Sequence, residues 1–438
     1  MNPTKPSTPN NRGVVERFGS YTPFAEPAWY NALASPYYSD SHRALRKYVR
    51  AYIEENIEPH EDQWEENGIV PAQASLDWIR AGLIFQDLPP RYRNGVPLPC
   101  NIPYEDWDIF HFIVLHFELA KIHAGVCVGL SGSSAIGAPP IVHFGTEQQK
   151  QRFLPGILTG EINFCLGATE PTGGSDLSGL KTTAVKDASG EFYIVNGHKK
   201  WITGAAKATH MTTAVRTGGA GMGGISVLVI ELKSPGISMH KIKNSGHNAA
   251  NSQWVTLENV KVPVENLIGE ENRGFATLMT NFNRERLIIA VNANSQARMC
   301  LKDAYEYAEV RHTFGKPLMS HQIIRAKLAT IARYVEAHWA WIEQLAYHVK
   351  VNNGAVDDLS ARIALAKVHG GRLLELANRE AQQIFGGAGC QRGGVGSRVE
   401  QISRDLRVVV VGGGSEEILT DLAVRQEAAW AKKRAANL

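Results

Sequence analysis

Cysteine is scarce in this chain and net charge nearly absent. Five cysteines occur in 438 residues, at Cys100, Cys127, Cys165, Cys300 and Cys390, odd in number and without a CxxC pair. That scatter argues against a disulfide framework and against a zinc site, so no metal is expected. It predicts free thiols in an intracellular, reducing compartment, with cytoplasm, mitochondrion and peroxisome left open. A net charge of +3 supplies no field for a nucleic-acid partner. No uninterrupted apolar run approaches the roughly 20 residues of a membrane span. No G-x-G-x-x-G follows a strand near the N-terminus, so nothing supports a Rossmann dinucleotide site. The first dozen residues, MNPTKPSTPNNR, lack acidic residues and also lack an amphipathic pattern, and they read as a disordered tail rather than a transit peptide. The final AANL is not a peroxisomal address.

What is present is a soluble globular composition, 44% hydrophobic and 20% charged, long enough for two or three packed domains. After a partly disordered tail over 1–40, a three- and four-residue apolar period predicts helices over 41–161, with Pro59 as an interruption and DWDIFHFIVLHFELAKI as a buried helix. Thr146 before Gln149 has the form of a capping box. The small residues from Gly125 to Gly145 suggest helices in close contact. Between 162 and 274 the period changes. INFCLGAT, FYIVNGHKKWIT, HMTTAVRT, GISVLVIEL and SQWVTLENVKVP are short, β-branched and separated by turn residues. From 275 to 438 the helical period returns. The expected fold is α+β: an N-terminal helical domain, a middle β-domain and a C-terminal helical bundle.

One stretch at the start of that bundle poses a chemical question. In LMTNFNRERLIIAVNANSQARMC, the apolar residues Leu278, Phe282, Ile288, Ile289, Met299 and Cys300 fall on one helical stripe. Glu285 lies in its middle, with Arg284 and Arg286 near the two edges. A carboxylate there must pair with one of those arginines, find another partner, or take up a proton.

Three motifs bear on the answer: ATEPTGGSDLSGLKT from Ala168, KKWIT from Lys199, and RHTFGK from Arg311 followed by His321 and Gln322. A weaker fourth, QIFGGAG from Gln383, leads into SRDLRVVVVGGGSEEIL. Together, in this order, they resemble the acyl-CoA dehydrogenase family over about residues 40–435. The resemblance implies bound FAD, an acyl-CoA substrate, a place in fatty acid metabolism, and electron-transfer flavoprotein or oxygen as acceptor. It places Leu166, Thr169, Ser175, Trp201 and Thr203 around the flavin ring, with Ser175 also facing the thioester. Arg311, Thr313, Phe314, Gln322, Gln383, Gly386 and Gly387 would hold the phosphates and adenosine. Some of these serve a neighbouring subunit in the family, which implies a homodimer or homotetramer. An oxidase of the same fold and a non-catalytic FAD-binding relative are the alternatives.

The sequence departs from the family pattern at one decisive place. Many members carry a catalytic glutamate in a YEGT-like segment, and here Gly412 and Gly413 stand at its Tyr and Glu positions. Glu416 and Glu417 are out of register, first-turn charges after Ser415. Glu285-Arg286-Leu287 is similar to the ERL of isovaleryl- and long-chain-type members, whose base sits on the long helix. Glu285 is therefore expected to abstract the Cα proton, with hydride passing from Cβ to flavin. Gly413 N–H would polarise the thioester oxygen. Arg286 would hold the carboxylate. Gly412 and Gly413 would leave room for a branched or bulky acyl group.

Overall fold

The computed structural model describes residues 17–131, 134–352 and 359–436. The first dozen residues and the last two of the AANL terminus lie outside them. Residues 17–40, expected within the tail, pack on the body in the part described. Trp29 and Tyr30 of helix α1 (Ala28–Asn31) are buried. The buried Arg298 guanidinium donates to the Phe24 and Glu26 carbonyls at 2.9 Å each. Two aromatic side chains and a sequestered cation outweigh the polar composition around them.

The helical N-terminal part follows as α2 (Asp40–Asn56), α3 (Glu61–Asn67), α4 (Ala72–Arg80), α5 (Ile109–Leu119), α6 (Ala124–Ser131), α7 (Ser134–Gly137), α8 (Pro139–Phe144) and α9 (Glu147–Phe153). Pro59 falls in the α2–α3 break. The Thr146–Gln149 capping box is formed. The small residues of α6 and α7 allow the expected close approach of helices, Gly125 of α6 lying hard against Glu65 of α3, and also a contact that was not expected. A Cβ on Gly129 would lie 2.7 Å from the Ala249 carbonyl oxygen, and one on Gly137 would lie 2.8 Å from that of Cys165. They let these helices approach the backbone of the β-domain as well as neighbouring helices.

That domain is one sheet of eight strands: β1 (Phe164–Gly167), β2 (Thr183–Lys186), β3 (Phe192–Ile202), β4 (His210–Arg216), β5 (Ile225–Glu231), β6 (Ile237–Lys241), β7 (Gln253–Pro263) and β8 (Leu267–Ile268). The order is β6-β7-β3-β2-β4-β5-β8, with β1 parallel to β4. The bundle is built on α10 (Gly274–Val310), 37 residues and about 55 Å long. After the hairpin β9 (His312–Thr313) and β10 (Lys316–Pro317) come α11 (Gln322–Val351), α12 (Ser360–Phe385), α13 (Ser397–Val411) and α14 (Glu416–Ala436). No single helix among the described residues is long and apolar enough to cross a membrane.

Candidate active site

Glu285 lies near the N-terminal end of α10, facing a cleft of about 790 Å³, part of it open to solvent. Its other walls are the segment 83–87, α5, and α6 to α8. Neither flanking arginine binds the carboxylate. Arg284 pairs with Asp87 across the cleft. Arg286, buried, donates to the Gly413 carbonyl at 2.9 Å and to Asn283 at 3.2 Å. The expectation that Arg286 holds Glu285 is therefore corrected: its hydrogen bonds fix the glycine loop instead. Glu285 Oε2 is shut off from solvent, with no hydrogen-bond partner among the described residues. Burial pushes the pKa of Glu285 up to about 7, against the pull of the Arg286 and Lys367 cations. A buried carboxyl group with one oxygen unpartnered, poised near neutrality on a cleft wall, has the properties of a general base.

The loop after α13 is gripped from both sides. Gly413 (φ +66°) adopts the left-handed conformation that glycine permits. Lys367 of α12, buried, donates to the Val410 carbonyl and, at 2.8 Å, to that of Gly414. Burial lowers the Lys367 pKa to about 8. Among the described residues Gly413 N–H has no acceptor. The space expected at Gly412 and Gly413 is bounded by the tip of Ile289 and the Val408 carbonyl. A Cβ on Gly413 would meet Ile289 Cδ1 at 2.8 Å, and neither glycine lines the cleft. Glu416 pairs with Arg372 at 2.8–2.9 Å, on the first turn of α14.

The TEPTGGSD and KKWIT motifs form one unit. Glu170 accepts from Lys199 Nζ at 2.8 Å and from the Thr182 and Lys181 amides at 2.9 and 2.5 Å. The Thr169 carbonyl accepts from Lys200 N at 2.9 Å. Between Lys199 and Ile202 the β3–β7 register slips, and Trp201 takes φ +57° with its ring half exposed. A bulge of this kind re-aims a side chain off the sheet, and a bulky residue held there is a strain that functional sites retain. Leu166 packs against the same apolar cluster as Phe282 and Ile288 of α10, which joins this unit to the Glu285 region. Ser175 is exposed and Thr203 half-buried beside them.

Arg311, Thr313, Phe314 and Gln322 are elsewhere. They surround the hairpin at the far end of α10, and Phe314 is 96% exposed. Tyr307 stacks on Phe385 with ring centroids 4.4 Å apart, which brings the Gln383, Gly386 and Gly387 turn to the same end. Along the helix, Arg311 lies about 39 Å from Glu285.

Three family models match in order: "Acyl-CoA dehydrogenase, N-terminal domain" over 39–161, the middle domain over 165–260 and the C-terminal domain over 272–428. The chain belongs to the acyl-CoA dehydrogenase family. It is 45% identical over 420 residues to acyl-CoA dehydrogenase AFT10-1 of Alternaria alternata, covering 94% of this chain and 96% of that one. It also resembles the crystal structure of an acyl-CoA dehydrogenase from Geobacillus kaustophilus, at TM-score 0.81 and 29% identity over 90% and 99% of the two chains. A Bacillus anthracis acyl-CoA dehydrogenase structure complexed with FAD is similar at TM-score 0.80 and 25% identity, over 90% and 68%. This chain is thus an acyl-CoA dehydrogenase, an oxidoreductase of an FAD-dependent family. Family members act on acyl-CoA, and some work with electron-transfer flavoproteins. Lys367 and Glu170 lie outside the expected site residues of the dehydrogenase sequence, although each carries a signal there. Lys367 is a lone charge among Ile363, Ala364 and Ala366, and Glu170 stands inside TEPTGGSD.

Proposed function

We propose that Glu285 removes the Cα proton of an acyl-CoA thioester bound in the cleft. The observation that carries this reading is Glu285, whose Oε2 is buried and without a partner among the described residues, on an otherwise largely apolar wall. The Gly413 N–H, free among the described residues and outside the cleft lining, is the donor we assign to the thioester oxygen, which then lies beyond the cleft wall while the acyl chain fills the cleft. Arg286 and Lys367 position it by holding the carbonyls of Val410, Gly413 and Gly414.

The residues present fit FAD. A tryptophan held half-exposed in a left-handed bulge, beside a Thr/Ser/Gly loop of neutral hydrogen-bonding groups, suits a flat uncharged ring. Leu166, Thr169, Ser175, Trp201 and Thr203 would surround it, and FAD, when bound, takes up the hydride from Cβ. With Arg311 about 39 Å along the helix from Glu285, we assign the Arg311–Gln322 hairpin and the Gln383–Gly387 turn to the FAD of a neighbouring subunit. An almost fully exposed Phe314 supports that assignment, because a ring left so bare in one chain is covered readily by another. A homodimer follows, and a homotetramer in keeping with the family. The five free thiols favour a reducing compartment. Electron-transfer flavoprotein is the proposed acceptor.

Anaerobic titration of the purified protein with a panel of acyl-CoAs tests the reaction. Flavin bleaching by at least one is expected, and a flavin that none of them reduces overturns the reading. Arg311→Ala is expected to lower FAD retention on gel filtration by about tenfold or more, the loss of one charge-assisted contact. Lys367→Met deprives two carbonyls of their donor. It is expected to slow flavin reduction by about 10–100-fold at unchanged FAD content, read by stopped flow.

A further inference from the structure

The cleft that faces Glu285 is not wholly apolar. His116 of α5 lines it, partly exposed, and among the described residues its ring nitrogens have no hydrogen-bond partner. The His116 ring stands edge-on to Phe112 at 4.4 Å, and the Arg284 guanidinium lies 4.2 Å from the centre of the same Phe112 ring. Arg284 is paired with Asp87, and both line the cleft. One patch of wall therefore presents an imidazole, a guanidinium and a carboxylate, grouped about one aromatic ring.

A plain alkyl chain filling this space would strip water from His116 and return nothing. Covering a polar group without replacing its hydrogen bond is unfavourable, and a site built with such a group discriminates against ligands lacking the partner. Resting on the dehydrogenase reading above, we propose that the acyl group carries a neutral oxygen substituent, a hydroxyl or a carbonyl, bound by His116 with the Arg284–Asp87 pair. Neutrality follows from charge. Arg284 is already compensated by Asp87, which would repel an added carboxylate. Burial and the neighbouring Arg284 charge hold the His116 pKa down to about 3, so at neutral pH the ring offers one N–H and one lone pair. A hydroxyl group complements both.

The test measures binding without turnover. FAD-loaded Glu285→Gln protein is titrated calorimetrically with octanoyl-CoA, with the monohydroxyoctanoyl-CoAs substituted at each carbon from C4 to C8, and with suberyl-CoA. At least one hydroxylated chain is expected to bind about tenfold tighter than octanoyl-CoA, and suberyl-CoA weaker than that best one. The ratio of hydroxylated to plain affinity is expected to fall to about one in His116→Phe and to shrink in Arg284→Met. Octanoyl-CoA binding at least as tightly as every hydroxylated chain overturns the proposal. So does tightest binding by suberyl-CoA, or a ratio that survives both substitutions. If no acyl-CoA bleaches the flavin of the parent protein, the dehydrogenase reading fails, while the affinity ratio still decides the substituent.

Discussion

Glu285→Gln is expected to lower the rate of flavin reduction by about 10²–10⁴-fold while FAD and acyl-CoA remain bound. Gln keeps the shape of the side chain and removes the proton acceptor. The parent enzyme's rate is expected to rise with pH through a midpoint near 7, because a base works only when deprotonated and burial has moved Glu285 there. The variant should lose that rise. Stability gives a second, independent reading. The folded chain holds a proton that the unfolded chain releases between about pH 4.5 and 7. Stability therefore falls as pH climbs through that window. In the FAD-free protein, Glu285→Gln should then melt a few degrees above the parent at pH 8 and level with it at pH 4. Glu416→Gln is the control, since Glu416 is engaged with Arg372. A parent-like Glu285→Gln beside a dead Glu416→Gln would show that the Gly412–Gly414 loop has been read in the wrong register. Moving the carboxylate to Gly413 is not expected to rescue activity by itself. At φ +66° a side chain is strained, and Ile289 occupies its place. Trimming Ile289 to Ala is the added step that such a rescue requires.

The alternation of helical, β and helical periods was legible because each domain buries one face of its elements, and burial sets the spacing of apolar residues. Strands β2 and β6 were missed for the same reason. Thr183–Lys186 buries only Ala184, and Ile237–Lys241 buries none of its residues, so neither carries an alternating pattern. Their pairing comes from backbone hydrogen bonds to β3 and β7, which leave no mark in side-chain type. At the site, Glu285 stood out because a charge on an apolar stripe breaks the pattern. What the helical wheel could not supply was the partner. Arg286 is one residue away in sequence, yet it spends its donors on Gly413, more than a hundred positions on. Residues that act through long-range backbone contacts, Lys367 above all, look like ordinary helix charges until the loop they hold is in view.

The same argument governs Glu170→Gln, expected to destabilise the folded protein by about 3–5 kcal/mol. Lys199 is fully buried, and its cation is matched by Glu170 at 2.8 Å. Even with that partner, burial lowers the Lys199 pKa to about 8. Remove the carboxylate and nothing opposes the desolvation, so the lysine must shed its proton or the strand must open. The damage spreads because Glu170 also receives the Lys181 and Thr182 amides just before β2, and because Lys199 begins the bulge that turns Trp201 out. Loss of FAD should therefore accompany the fall in denaturant midpoint, although neither Glu170 nor Lys199 is assigned a contact with the cofactor. Glu170→Gln/Lys199→Met removes both charges together and is expected to recover much of the stability, since a paired burial is costly chiefly when broken on one side. Recovery of the midpoint without recovery of FAD would mean that the ion pair aims Trp201 as well as holding the strand. A single variant as stable as the parent, with its FAD intact, would show that the TEPTGGSD loop and the KKWIT strand are held together by something else. Their joint appearance in the sequence reflects one physical device, in which an acid from the loop neutralises the buried lysine of strand β3.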